Sequence, residues 1–190
     1  MRKLIFSFSV FISASLLSNC QAQKGVDSAT PTGQTFTIRE IMQSMVQPRA
    51  DTLWNAVSTS VTDKGVETNA PKNEEEWAKM RNEAVTIVEA MNLIQMPGRK
   101  VAKPGEQAKD PKVELSPDQI EKLINDDRES WGKLAHSLQD SVMVALKAID
   151  AKNAEGLSNA GGDMDMACET CHKKYWYPND PGQKNEPEKK

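Results

Sequence analysis

Aromatic residues make up only 5% of this 190-residue chain, and it holds two histidines and three cysteines. So few cysteines exclude a disulfide-rich scaffold. Two imidazoles limit how many imidazole-based sites the chain can build. A basic excess is also missing: 24 Lys and Arg stand against 27 Asp and Glu, a formal net charge of −3. That balance argues against a nucleic-acid binder. Glycine and proline, ten each, are too few for a low-complexity chain. No internal repeat is visible, and no apolar run of about 18 residues follows Leu17, so no membrane span is expected beyond it. What remains is the length of one domain with 38% hydrophobic residues, enough for a modest core.

The N-terminus reads as an export signal. Met1-Arg2-Lys3 is basic, and Leu4 to Leu17 is apolar or small with Ser interspersed. That stretch has the size of a signal h-region and is short for a membrane helix. Residues 1–22 are therefore expected to be a signal peptide, and two processing routes stay open. Cleavage after Ala22 puts Cys20 and Ala22, both small, at the −3 and −1 positions. Alternatively, Leu17-Ser18-Asn19-Cys20 resembles a bacterial lipobox with Cys20 as lipid anchor, although Asn19 is a poor residue before a lipidated cysteine. Either route places the domain in the periplasm, soluble or lipid-anchored. Loss of Arg2 and Lys3 leaves 22 basic against 27 acidic residues, a net charge of −5. Residues 23–34 read as a flexible linker and residues 178–190 as a disordered tail.

With Cys20 removed or lipidated, Cys168 and Cys171 remain. They stand in Cys168-Glu169-Thr170-Cys171-His172, the C-x-x-C-H pattern of covalent haem attachment. Two thiols spaced by two residues can add to the two vinyl groups on one side of a porphyrin. The following His172 is then held under the iron, where an imidazole nitrogen is a strong axial ligand. The competing readings are a disulfide, a CxxC redox pair or half a zinc site. A zinc site needs two more ligands, and only His136 and carboxylates are left. A thioredoxin-like site needs a βαβ setting, and nothing here reads as β.

The rest of the chain reads as helices. Ile38, Ile41, Met42, Met45, Val46, Leu53, Trp54 and Val57 recur at helical spacing over residues 35–61, with Pro48 expected to bend or divide that helix. Residues 62–72 read as a loop. Asn73 with Glu76 makes a capping pair for a second helix whose stripe is Trp77, Met80, Ala84, Ile87, Met91 and Ile94. Pro97-Gly98 ends it, and residues 97–115 form a long polar connection. Ser116 and Pro117 open a third helix running to Ile149. A fourth, from about Ala154 to Trp176, carries the haem motif and is weakened by Gly156, Gly161 and Gly162. The expected fold is all-α: an antiparallel four-helix bundle, residues 35–177, with haem c attached to the C-terminal helix.

Four helices with CxxCH near the C-terminus resemble the cytochrome c-prime, or class II cytochrome c, family. The most specific part is Ala148-Ile149-Asp150-Ala151, Leu157, then Cys168 to His172 and Tyr175. The Ile41-Met42, Val46, Pro48, Ala50-Asp51 and Leu53-Trp54 run, the Met96-Pro97-Gly98-Arg99 turn and the Tyr175-Trp176-Tyr177-Pro178 ending are similar to an exported bacterial branch of it. Pro48 and the long connection depart from the family pattern. The resemblance implies one covalently attached haem c, with Cys168 and Cys171 as its thioethers and His172 as proximal iron ligand. It also implies that the first helix crosses the opposite haem face. A methionine there makes a six-coordinate, low-spin electron carrier; a bulky apolar residue makes a five-coordinate protein that binds or buffers nitric oxide or carbon monoxide. Met42 is the candidate distal iron ligand, preferred over Met45 because it lies a turn farther from Pro48. Both also suit plain core packing.

Among other residues, His136 reads as solvent-facing. Arg39 and Arg99 are candidates for pairing with haem propionates. The four tryptophans read as core or pocket wall, and Met164 and Met166 as packing residues. Lys173 and Lys174 suit either a docking patch or a helix C-terminus. The expected function is periplasmic transfer of single electrons to small redox partner proteins. No enzyme activity, nucleic acid or membrane span is expected, and a homodimer stays open. The rivals are the five-coordinate gas-binding protein and a haem-free helical bundle with a structural disulfide.

Overall fold

The computed structural model describes residues 33–63 and 65–180. The export signal read at 1–22, with Cys20, lies outside them, as do most of the linker and most of the tail. Of the described residues, 63% are helical, and the remainder includes one small two-stranded sheet. The elements are α1 (Ile38–Ile41), a π-helical turn (Met42–Val46), α2 (Gln47–Trp54), β1 (Ser58–Thr62), β2 (Gly65–Asn69), α3 (Glu74–Ile94), α4 (Pro117–Asp126), α5 (Arg128–Asp150) and α6 (Ala154–Tyr175). Among the described residues, no helix is long and apolar enough to cross a membrane.

α1, the π turn and α2 run on as one first helix. Thr37 caps it: its hydroxyl accepts from the Glu40 N–H while the Glu40 carboxylate accepts from the Thr37 N–H. Pro48 neither breaks nor divides it. A proline ring clashes with the carbonyl four residues back and offers it no N–H. Here the clash is relieved by the π turn, in which the Gln47 N–H reaches back five residues to the Met42 carbonyl. The orphaned Ser44 carbonyl accepts instead from Arg49 Nη1 at 2.6 Å.

The helix ends at Trp54, earlier than its apolar spacing suggests. Residues 58–69, read as helix end and loop, form an antiparallel hairpin pairing Val61 with Val66 and Thr62 with Gly65. Gly65 sits at φ +121°, a conformation that favours glycine. Every residue of both strands is solvent-exposed, so the hairpin adds nothing to the core.

α3 begins at the expected cap: Asn73 accepts from the Glu76 N–H. The helix expected from Ser116 to Ile149 is two helices. Asp127 (φ −138°, ψ 66°) ends α4 and caps α5 by accepting from the Ser130 N–H. α5 packs on α6 and on α3, and α2 packs on α3 and α6. The buried faces of these helices meet in one core. Within it the Trp131 indole stands edge-on to Tyr175, with centroids 5.1 Å apart, and its N–H donates to the Ile94 carbonyl.

The connection between α3 and α4 is long and polar but tied down. Its Lys100 and Val101 carbonyls accept from the Ile38 and Arg39 N–H groups, satisfying donors at the start of α1. Val101 is fully buried. Arg99 clamps the turn from inside, donating to the Leu93 and Phe36 carbonyls and to Met96 Sδ.

Candidate functional site

The first helix and α6 are brought together at Gly161. The Trp54 indole N–H donates 3.0 Å to the Gly161 carbonyl, and a Cβ on Gly161 would lie 3.1 Å from Trp54 Cδ1. Toward the C-terminal end of α6, a cavity of about 420 Å³ opens, in the size range of small-molecule and cofactor sites. α6 contributes Cys168, Cys171 and His172 to it; the i, i+3, i+4 spacing puts all three on one face. The first helix contributes Met42, Val46, Ala50 and Trp54, with Gln43 and Gln47 among the polar lining. α3 and α5 add Met91, Trp131, Leu134 and Leu138. Most of the lining is apolar, and the polar part comes from Arg39, Lys109, Glu114 and Tyr177 as well as the glutamines.

Both cysteines are free thiols. Burial pushes the Cys168 thiol up to about 11, helped by Asp165 and Glu169, and the Cys171 thiol up to about 12. A reactive redox CxxC needs the opposite, a thiol lowered by positive surroundings or a helix N-terminus. These two lie toward a helix C-terminus, where the dipole disfavours thiolate. Among the described residues, no group of three His, Cys, Asp or Glu is placed to hold a metal ion. Burial also lowers the His172 pKa, with Glu169 acting in the opposite direction. His172 is therefore neutral at neutral pH, with a ring lone pair available to a metal.

Met42 and Met45 both pack against the core but differ at the cavity. Met42 lines it, whereas Met45 does not. Arg39 lines the cavity, but its Nη1 donates to the Gln107 carbonyl at 2.9 Å and lies 3.8 Å from Glu106. Arg99 is not at the cavity; its guanidinium is spent on the turn described above, which corrects the propionate role considered for it. His136 is exposed and away from the site. Met164 is fully buried, and Met166, read as a packing residue, is 63% exposed. Trp54, Trp131 and Trp176 line the cavity, and Trp77 is core. Lys174 Nζ donates to Asp127 at 3.0 Å, tying the end of α6 to the cap of α5.

Sequence reasoning missed Lys109 and Glu114, which the long connection carries to the cavity, and the neighbours of His172. Nothing in the spacing of the connection signals the first pair. The glutamines had a signal: Gln43 and Gln47 share a helical face with Met42 and Val46. Comparison of the chain with known protein families, with curated proteins and with solved structures finds no match.

Proposed function

We propose that this chain is a periplasmic mono-haem c-type cytochrome, a four-helix bundle of the class II kind that carries single electrons between small redox partner proteins. The observation that carries the reading is that Cys168, Cys171, His172 and Met42 all border one largely apolar cavity of cofactor size. The residues fit the group. Two free thiols and a neutral imidazole share one face of α6, and a thioether stands on the first helix. Cys168 and Cys171 would hold haem c covalently, and His172 and Met42 would bind its iron.

When bound, haem supplies the one-electron ferric–ferrous couple, and a thioether ligand raises its potential. The chain does the rest. α6 fixes the thiols and the imidazole on a rigid element. The π turn sets which side chains of the first helix face the cavity. Val46, Leu134, Leu138 and Trp131 exclude water, which keeps the surroundings of low polarity. Arg39 and Lys109 are the cations among the lining residues, opposite in sign to haem propionates.

The test is the spin state of the exported protein and of Met42→Ala. The reading expects a low-spin spectrum that carbon monoxide leaves unchanged, converted by Met42→Ala to a high-spin form that carbon monoxide shifts. Met45→Ala should leave the spectrum as it is. A wild-type spectrum that is already high-spin and shifts with carbon monoxide would reject Met42 ligation and point to gas binding.

A further inference from the structure

His172 has a second set of neighbours besides the thiols. Glu169 stands three residues earlier on α6, a spacing that brings side chains together on a helix surface. Its Oε1 lies 3.8 Å from His172 Nδ1, too long for a hydrogen bond but close enough for its charge to act on the ring. The same oxygen accepts from the Tyr177 hydroxyl at 2.8 Å. Tyr177 is in turn fixed against His172: its backbone N–H donates to the His172 carbonyl at 3.1 Å, and the two rings lie 6.0 Å apart. His172 and Tyr177 line the cavity, whereas Glu169 does not. The carboxylate is thus held outside the cavity, next to one nitrogen of a ring that borders it.

An imidazole that binds a metal through one nitrogen presents the other to a partner. That partner fixes the tautomer and sets how strongly the ring donates. We infer that Glu169, anchored by Tyr177, is the positioning residue of His172: its negative charge beside Nδ1 favours the tautomer protonated there, leaves Nε2 for iron and strengthens the ring as a donor. The inference rests on the haem reading above and deepens it. A stronger donor stabilises ferric over ferrous iron, so the pair would hold the potential lower than His172 and Met42 alone would set it. Tyr177 contributes by keeping the carboxylate in place rather than turned to solvent.

The test is the midpoint potential of the purified holo-protein and of two variants, Glu169→Gln and Tyr177→Phe. Glu169→Gln keeps the side-chain shape but removes the charge. It should favour the ferrous form about tenfold, a rise of about 59 mV for a one-electron couple. Tyr177→Phe frees the carboxylate without removing it and should shift the potential the same way by less. Haem content and the helical circular dichroism should match wild type in both. Potentials that stay put or fall in both variants, with haem still bound, overturn the role of Glu169 and leave the haem reading standing. A wild-type protein that takes up no haem overturns both.

Discussion

A methyl group added at Gly161 would meet Trp54 Cδ1 at 3.1 Å, against a ring already fixed by its hydrogen bond to the Gly161 carbonyl. Gly161→Leu should therefore push the first helix off α6 and cost about 1–3 kcal/mol, read by urea unfolding. Gly162, where a Cβ would meet nothing within 4 Å, is the control and should tolerate alanine. Asp127 gives a second residue-scale outcome. Its carboxyl is held at about 2, below its ordinary 3.8, first by the Ser130 N–H and then by Lys174. The unfolded chain takes up the proton earlier as pH falls. The stabilising contribution is therefore complete above about 3.8 and lost as pH drops toward 2. Asp127→Ala should flatten the fall in stability over that window, and an unchanged slope would contradict the assignment. At this scale the sequence was most legible where chemistry is local. Cys168, Cys171 and His172 announce themselves by spacing alone. Glu169 and Tyr177 lie eight positions apart, and their link through one carboxylate oxygen exists only once α6 has formed and the chain has turned past Trp176.

The first helix shows how an element reads differently from its residues. Pro48 was visible as a disturbance, but its resolution as a π turn was not, because nothing in the spacing shows that the Arg49 side chain would reach the Ser44 carbonyl. Pro48→Ala restores an N–H and removes the ring clash, so the π turn can tighten to α. One residue of register is about 100° of rotation, enough to turn Met42 away from the cavity relative to Ala50 and Trp54. The expected outcome is unchanged or higher thermal stability together with a loss of low-spin character. A stable variant with the wild-type spectrum would show that the π turn does not place Met42. Two other element boundaries were misread for separable reasons. The apolar stripe was followed past Trp54 although Ser58 to Thr62 is rich in β-branched residues and leads to a turn at Gly65, a hairpin signal. The break at Asp127 hides inside a continuous apolar stripe, and only its capping of Ser130 reveals it.

At the scale of the molecule, the connection from residue 95 to 116 works as part of the fold. It caps α1, buries Val101, holds Arg39 through the Gln107 carbonyl and brings Lys109 and Glu114 to the cavity. Its composition suggested only a long polar linker, because backbone carbonyl contacts leave no trace in side-chain pattern. Val101→Ala should cost about 2 kcal/mol. It should also speed amide exchange at Ile38 and Arg39, whose N–H groups lean on the same segment. Exchange that stays slow there would separate the cap from the buried valine. The helical core, by contrast, was readable from its stripes: Trp77, Met80, Ala84, Ile87, Met91 and Ile94 are all buried on α3 as the spacing demands. On the function proposed above, the cavity bordered by this core holds a covalently attached haem. The direct measurement is the haem content of the protein exported from a host with working c-type maturation, after extraction with acidified organic solvent. One haem per chain that resists extraction, and is lost in Cys168→Ala/Cys171→Ala, is the predicted result. A colourless protein, or one whose haem washes out, would contradict it.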